Sequence, residues 1–404
     1  QRATYLDLTY ESFLNYNLSL NDHNIKSTLG TSVFRRKGDV LNGTAFNIPN
    51  NSIDYADISA SMTSSQINLN NTGSYEFEER LLSTFLRAEY NFKYKYIFSG
   101  VVRRDGSTKF GPNNRYGFFP SVSGAWILSE ESFLNVKPIT FLKLRTSYGV
   151  SGNDQIANFA YRALLNGEGD YVFNNATVAG VAIGTPSNPD LKWETTKQLN
   201  IGLDVQLFSS LNLSANYFIK NTDDLLFSPD VSALIGSYGP GGYPPIINAG
   251  NVSNQGFEFE FAYATDLSTL IGMNFNFNFT YLQNEVTKVP DGVDFLPGAS
   301  FGVGGNTATR FEVGFPIGYF FGYQTNGVFQ SQEEIDNASV YQQGANVGDL
   351  IYVDRDGDGF INFNDNSDKK NLGSPLPKFM FGSIVGFNAF GFDVSANLRK
   401  FRAP

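Results

Sequence analysis

The sequence contains no cysteine and only one histidine, His23. A disulfide framework, a thiol nucleophile and a thiolate metal site are therefore excluded, and a histidine-dependent triad or zinc site has almost no side chains to use. No run of 18 or more apolar residues occurs, which excludes a transmembrane helix and leaves a transmembrane β-barrel open. We expect that the chain is not an enzyme.

Blocks of basic residues are also missing. The formal net charge is -10, and the only compact basic cluster is Arg35, Arg36 and Lys37. A nucleic-acid surface needs concentrated positive charge. We therefore expect no nucleic-acid partner.

Aromatic residues are abundant: they make up 15% of the chain, which contains 38 phenylalanines and 21 tyrosines. The stretch "GMNFNFNFTY" (272–281) alternates apolar side chains with amides or a hydroxyl, so a strand here has an aromatic face and an amide face. In a soluble sandwich the aromatics would meet a second sheet, whereas in an outer-membrane barrel they would meet lipid. Nine residues tilted by ~40° climb roughly 23 Å, close to the ~25 Å apolar band of such barrels.

Similar runs recur along the chain and predict an antiparallel all-β fold. The predicted strands are 3–18, 23–37, 81–95, 96–107, 114–129, 138–150, 193–208, 210–223, 250–265, 270–287, 378–388 and 390–400. The connections at 19–22, 130–137, 208–210, 265–269 and near 389 are tight, and those at 38–80, 151–192, 224–249 and 288–377 are long. Strict short and long alternation is typical of a transmembrane β-barrel and not of a Greek-key sandwich. It predicts that 288–377 is one extracellular excursion.

Five ordered blocks carry a family resemblance. They are "RRDGSTKFGPNNRYGFFPSVSGAWILSEESF" (103–133), "LKLRTSYGVSGNDQI" (142–156), "NPDLKWETTKQLNIGLD" (188–204), "VSNQGFEFEF" (252–261) and "GDLIYVDRDGDGFINFNDNSDKKNLGSPLPKFMFG" (348–382). Together they resemble the barrel of SusC/RagA-type TonB-dependent transporters of Bacteroidetes. The likeness runs from about residue 80 to the C-terminus.

The resemblance implies a 22-stranded outer-membrane barrel that imports a large nutrient, a glycan or a peptide. It also implies a SusD-like surface lipoprotein as partner and energy from the TonB complex, through regions outside this chain. We expect residues 1–404 to be a partial barrel domain of about twelve strands, in contact with outer-membrane lipid, and to include neither the plug domain nor the TonB box.

One acidic stretch has the spacing of a metal site. In "DRDGDGFINFND" (354–365), oxygen ligands would come from Asp354, Asp356, Asp358, the Phe360 carbonyl, Asn362 and Asp365, with Gly359 at the sharp turn. This is the pattern of an EF-hand calcium loop, although its last position is Asp instead of Glu. A solvated acidic turn, whose carboxylates bond their own backbone, is the alternative. We predict a structural calcium ion that braces neighbouring loops.

Other residues receive structural interpretations. Glu258 and Glu260 share one face and would line the barrel interior, and Trp126 and Trp193 would lie in the aromatic girdles at strand ends. Two functional alternatives to active import stay open. One is a passive porin-like channel, and the other is a secreted β-rich calcium-binding or adhesion module.

Overall fold

Twelve long strands form one antiparallel sheet. The computed structural model describes residues 2–44, 71–165, 167–178, 180–228, 243–268, 270–298, 300–301, 306–363 and 365–402. In chain order the strands are β1 Arg2–Leu20, β2 His23–Thr44, β3 Asn71–Phe92, β4 Tyr96–Ser107, β5 Tyr116–Ile127, β6 Ile139–Asn153, β7 Glu194–Leu207, β8 Leu211–Asp223, β9 Asn251–Ser268, β10 Ile271–Lys288, β11 Phe379–Ala389 and β12 Phe392–Arg402. Each pairs with its neighbours in sequence, so the sheet is an unbroken meander.

The remaining elements are short. A 3₁₀ turn spans Leu128–Glu130 and a five-residue α-helix spans Gln332–Asp336. Short strands span Gly167–Glu168, Tyr171–Phe173, Ala176–Val178, Val181–Ala182, Leu226–Phe227, Ile247–Asn248, Phe295–Pro297, Ser300–Phe301, Asn306–Thr307, Thr309–Glu312, Tyr319–Tyr323, Thr325–Val328, Tyr341–Gln342, Leu350–Tyr352, Phe360–Ile361 and Lys369–Gly373. Among the described residues, no helix is long and apolar enough to cross a membrane.

Connections at the two ends of the sheet differ in length. At one end the strands are joined by 21–22, 93–95, 128–138, 208–210, 269–270 and 390–391. At the other end they are joined by 45–70, 108–115, 154–193, 224–250 and 289–378. We call these the short-turn end and the long-connection end. The short strands and the helix lie within connections at the long-connection end, apart from the 3₁₀ turn.

The predicted strand positions agree with these bounds within about two residues at most ends. β2 and β3 are longer than predicted, because their charged ends pair across the hairpin instead of ending it. Arg35 lies 2.8 Å from Glu78 and Lys37 lies 3.5 Å from Glu76. Ion pairs between neighbouring strands thus extend the ladder beyond the apolar stretch.

The strand register sorts side chains into two continuous faces. Phe277 on β10 pairs with Phe261 on β9, while Asn276 pairs with Ala262 on the opposite face. We call the face carrying Phe277 the apolar face and the face carrying Asn276 the polar face. Only ten hydrophobic side chains are buried among the described residues, and Phe277 is half-buried. The described strands are not covered by a second sheet, so the sandwich alternative does not describe this fold.

Candidate functional site

The apolar face is continuous across neighbouring strands. On β9, β10 and β11 it carries Phe257, Phe259, Phe261, Tyr263, Met273, Phe275, Phe277, Phe279, Tyr281, Phe379, Phe381, Val385 and Phe387. On β7 and β8 it carries Leu199, Ile201, Leu203, Val205, Leu207, Leu211, Leu213, Tyr217 and Ile219. A surface this large and apolar, with no second protein layer over it in the described part of the chain, is suited to contact lipid.

The polar face is lined by amides and by ion pairs. Asn274, Asn276 and Asn278 are exposed on β10. Farther along the sheet, Arg145 Nε on β6 donates to Asp204 Oδ2 at 3.0 Å, and the Arg145 guanidinium also bonds the amide oxygen of Asn216. The polar face therefore presents hydrogen-bond donors and acceptors along several strands.

Glu258 and Glu260 lie on the polar face, where they were predicted to lie. Their register partners on β10 are Thr280 and Asn278. The two carboxylates therefore belong to the hydrophilic lining of the sheet.

Side chains crowd the glycines of the polar face more often than those of the apolar face, although Gly106, on the apolar face, lies against the ring of Tyr116. A methyl group added at Gly30, on the polar face, would overlap the ring of Phe85 on the next strand. At Gly100, on the apolar face, no atom of the described residues lies within 4 Å of such a group. Side chains converge on the concave side of a curved sheet, so the polar face is the inner face.

The two tryptophans occupy different environments. Trp126 stacks on Tyr96 with ring centroids 6.0 Å apart at the short-turn end, as a girdle residue would. Its Nε1 donates to Glu131 Oε1 at 3.0 Å, and the hydroxyl of Tyr96 donates to the same oxygen at 2.6 Å. The Tyr96 hydroxyl, followed by Trp126, holds the pKa of the Glu131 carboxyl below its usual range.

Trp193 does not lie in a girdle, and its predicted position is wrong. It is buried at the long-connection end, with ring centroids 5.0 Å from Phe110 and 5.3 Å from Phe119. Leu191 completes this cluster, which we call the mouth cluster. The cluster is favoured over a lipid contact because it seals the 108–115 connection against the end of 154–193.

The acidic loop is a tight turn organised by Asp354. Its Oδ1 accepts the N–H of Gly357 at 2.7 Å and its Oδ2 accepts the N–H of Gly359 at 2.9 Å. The Gly359 N–H, then that of Gly357, holds the pKa of the Asp354 carboxyl below its ordinary value of 3.8. Both glycines have positive φ, 79° at Gly357 and 84° at Gly359, which explains why the turn uses glycine.

The carboxylates that converge are not the set that the spacing predicts. Oxygens of Asp354, Asp356 and Asp368 lie within 4.8 Å of one another. Asp368 is buried, and its oxygens accept the N–H groups of Arg355 and Asn362, each at 3.0 Å. Sequence reasoning missed Asp368, because it lies three residues beyond the twelve-residue pattern.

The other predicted ligands lie around this group. Asp358 Oδ1 accepts the N–H of Phe360 at 2.8 Å, and Asp365 Oδ1 accepts the N–H of Ser367 at 2.9 Å. Asp365 Oδ2 also accepts the side-chain amide of Asn362 at 2.6 Å. Phe360 is exposed and Ile361 is buried, and these two form a parallel bridge with Tyr341–Gln342.

This donor set fits a hard divalent cation. All three convergent groups are carboxylates, the ligands that calcium prefers. The Asn362 carbonyl is bonded by the hydroxyl of Tyr323 at 2.8 Å, which ties the loop to the strand Tyr319–Tyr323. An ion held by Asp354, Asp356 and Asp368 would join the loop to the segment that contains Asp368.

Comparisons with known proteins agree with this architecture. The profile of the family described as "TonB dependent receptor-like, beta-barrel" matches residues 1–394. "TonB-dependent receptor P3" of Formosa agariphila is 34% identical over 398 residues, covering 95% of this chain and 37% of the relative. "TonB-dependent receptor SusC" of Bacteroides thetaiotaomicron is 30% identical over 337 residues, covering 81% of this chain and 31% of the relative. The chain spans about a third of the length of these relatives.

Solved structures share the fold at lower identity. The RagAB peptide importer in the closed-closed state superposes with a TM-score of 0.77 at 23% identity, covering 99% of this chain and 42% of that chain. The outer membrane transporter YddB of Escherichia coli gives a TM-score of 0.51 at 12% identity, covering 99% and 53%. These likenesses confirm the predicted transmembrane β-barrel fold.

Proposed function

This chain belongs to the family of TonB-dependent receptor β-barrels and lies in the outer membrane of a Gram-negative bacterium, and from this premise we propose that it forms part of an active importer of a large nutrient. The observation that carries the proposal is the two-faced sheet. Its apolar face is suited to lipid, and its crowded polar face supplies the wet wall of a transport path.

Energy and capture would come from partners. We propose that the TonB complex drives import through regions outside this chain, and that a SusD-like surface lipoprotein covers the long-connection end. The substrate would be a glycan or a peptide. The neighbour described as a peptide importer shares only 23% identity and supports the fold alone.

We also propose that the acidic loop binds calcium. Asp354 and Asp356 would supply ligands, and Asp368 would replace the more distant carboxylates of the predicted loop. The ion would supply rigidity, because it would bridge the loop to the segment that contains Asp368. It would have no part in the chemistry of transport.

Uptake in cells tests the import proposal. Cells carrying the intact gene would be given fluorescently labelled oligosaccharides or labelled oligopeptides, with and without inactivation of TonB. We expect uptake of one substrate class to require both the gene and TonB. Uptake that needs the gene but persists without TonB would establish the passive channel instead.

Detergent dependence tests the remaining alternative. The apolar face should make the purified protein aggregate once detergent is removed. A secreted calcium-binding or adhesion module would stay monomeric in buffer, and that result would overturn the membrane assignment.

A further inference from the structure

Charged side chains on the apolar face are confined to one end of the sheet. Following the strand register, every charged strand residue on this face lies toward the long-connection end. The cations among them include Arg35, Arg80, Arg104, Lys197, Lys400 and Arg402. Toward the short-turn end, the described strands present only uncharged residues on this face.

The uncharged region has the height of a membrane interior. On β10 the apolar-face residues from Met273 to Gln283 are all uncharged. Ten steps of ~3.3 Å at a tilt of ~40° rise roughly 25 Å, which equals the apolar band of an outer-membrane barrel. The charged residues that follow this region, the first of which on β10 is Glu285, therefore lie near the level of lipid headgroups.

Some of these cations are neutralised by protein groups and others are not. Arg35 and Arg80 both contact Glu78, and Lys197 Nζ lies 2.9 Å from Asp223. Arg104, Lys400 and Arg402 form no ion pair with an acidic side chain among the residues that the structure describes. All three are exposed.

Arg104 is held in a defined position. Its guanidinium lies 4.0 Å from the ring centroid of Tyr116, which keeps the charge at the surface while the donors stay free for an anion. Lys400 and Arg402 stand at alternate positions of β12 on the same face, beside Phe381 and Phe379. Each of the three cations thus lies next to an aromatic ring on the apolar face.

We propose that Arg104, Lys400 and Arg402 bind the phosphate groups of lipids in the leaflet at the long-connection end. Guanidinium and ammonium groups are strong phosphate donors, and the adjoining apolar band would hold the acyl chains of the same lipid. Toward the short-turn end, the apolar face of the described strands has no cations and offers aromatic rings instead, such as Tyr96 and Trp126. The barrel would therefore select phosphorylated lipids in one leaflet.

Lipid binding by the intact, detergent-purified protein tests the proposal. The variant Arg104→Gln/Lys400→Gln/Arg402→Gln is compared with Lys26→Gln/Lys220→Gln/Arg399→Gln, which removes three exposed cations from the polar face. Native mass spectrometry measures binding of phosphatidylglycerol, of diacylglycerol without phosphate, and of inorganic phosphate. We expect the apolar-face variant to bind phosphatidylglycerol about fivefold or more weakly than the unaltered protein, and the polar-face variant to match it.

The other outcomes overturn the proposal. Unchanged binding in the apolar-face variant, or equal losses in both variants, would remove these three residues from lipid recognition. Inorganic phosphate that saturates the same site would show that a free anion, and not a lipid, is the ligand. If the triple variant does not fold, Lys400→Gln and Arg399→Gln repeat the comparison, since these adjacent residues lie on opposite faces. The readout does not depend on transport, so it stands whether or not import is confirmed.

Discussion

Phe277 on β10 lies directly opposite Phe261 on β9, and the two rings share the apolar face. An arginine at position 277 would place a charge among these rings. We predict that Phe277→Arg lowers the free energy of unfolding from a bilayer by about 2–4 kcal/mol, the cost of a cation near the midplane. Asn276→Lys adds a charge one residue away on the wet face and should change little.

Reversible urea unfolding from lipid vesicles measures both variants. If both substitutions are tolerated equally, the apolar face does not contact hydrocarbon and the membrane orientation of the sheet is wrong.

The sheet could be predicted from sequence because its signal is local. Each strand alternates with a period of two, and stretches such as Met273 to Tyr281 reveal both faces at once. The ends of β2 and β3 were less predictable, because the charges at Arg35 and Glu78 look like loop residues until the pairing between strands is known. Arg35 and Glu78 are 43 residues apart in the chain, and a pair this distant leaves no periodic pattern in the sequence.

The candidate site was harder to predict for the same reason. Spacing within a loop drew attention to Asp354 and Asp356, but the chain returns to bring Asp368 beside them through contacts that spacing does not encode. Trp193 shows a similar limit, since a tryptophan at a strand end can face lipid or pack against a connection. Only the position of Phe110 on a different connection decides between the two.

The mouth cluster yields a second prediction. Trp193→Ala removes the largest ring of a buried group and should lower the free energy of unfolding of the loop region by about 3–5 kcal/mol. Limited proteolysis should then cut within 108–115 or 154–193 at protease concentrations that leave the unaltered chain intact. Trp126→Phe is the matched control, because Trp126 lies at the other end of the sheet. Equal protease resistance of the two variants would show that the mouth cluster does not seal these connections.

The ligand set of the acidic loop can be resolved by substitution. We predict that Asp356→Asn and Asp368→Asn each weaken calcium binding by about tenfold or more, because loop affinity follows the number of carboxylates that reach the ion. Asp365→Asn should weaken it much less, since Asp365 is not among the three carboxylates whose oxygens converge. Isothermal titration calorimetry measures the affinity.

The Asp368 carboxylate also accepts two backbone N–H groups, so Asp368→Asn could destabilise the loop directly. Melting temperatures measured without calcium serve as the control for this effect. A stronger loss in Asp365→Asn than in Asp368→Asn would favour the twelve-residue loop predicted by spacing.

Acid should disorder the turn that the Asp354 carboxylate holds together. The pKa of Asp354 is lowered by the Gly359 and Gly357 N–H groups, so its contribution to loop order is present above the ordinary value of 3.8 and is lost as pH falls through the lower folded value. We predict that the amides of Gly357 and Gly359 stay protected from hydrogen exchange at about pH 5 and lose protection well below pH 3.8. Loss of protection already at about pH 5 would mean that these bonds do not hold the turn.

Tyr319 should give an opposite response in alkali. Burial, followed by the hydrogen bond to the Glu312 carboxylate, raises the pKa of the Tyr319 hydroxyl to about 12 from 10.0. Because the folded value is raised, the contribution to stability is fully present below pH 10.0 and is lost as pH rises toward about 12. Tyr319 also stacks on Phe315, with ring centroids 4.6 Å apart, so ionisation would place a charge against an apolar ring beside an existing carboxylate.

We therefore predict that Tyr319→Phe removes one late-titrating tyrosine and leaves the titration of the others unchanged. The chain contains 21 tyrosines. The difference between the ultraviolet titration curves of the two proteins nevertheless isolates the Tyr319 hydroxyl. The difference should be absent at pH 10.0 and should develop near 12. A difference that is complete by pH 10.0 would show that the hydroxyl reaches solvent, and the sheet formed by Thr309–Glu312 and Tyr319–Tyr323 would then not enclose it.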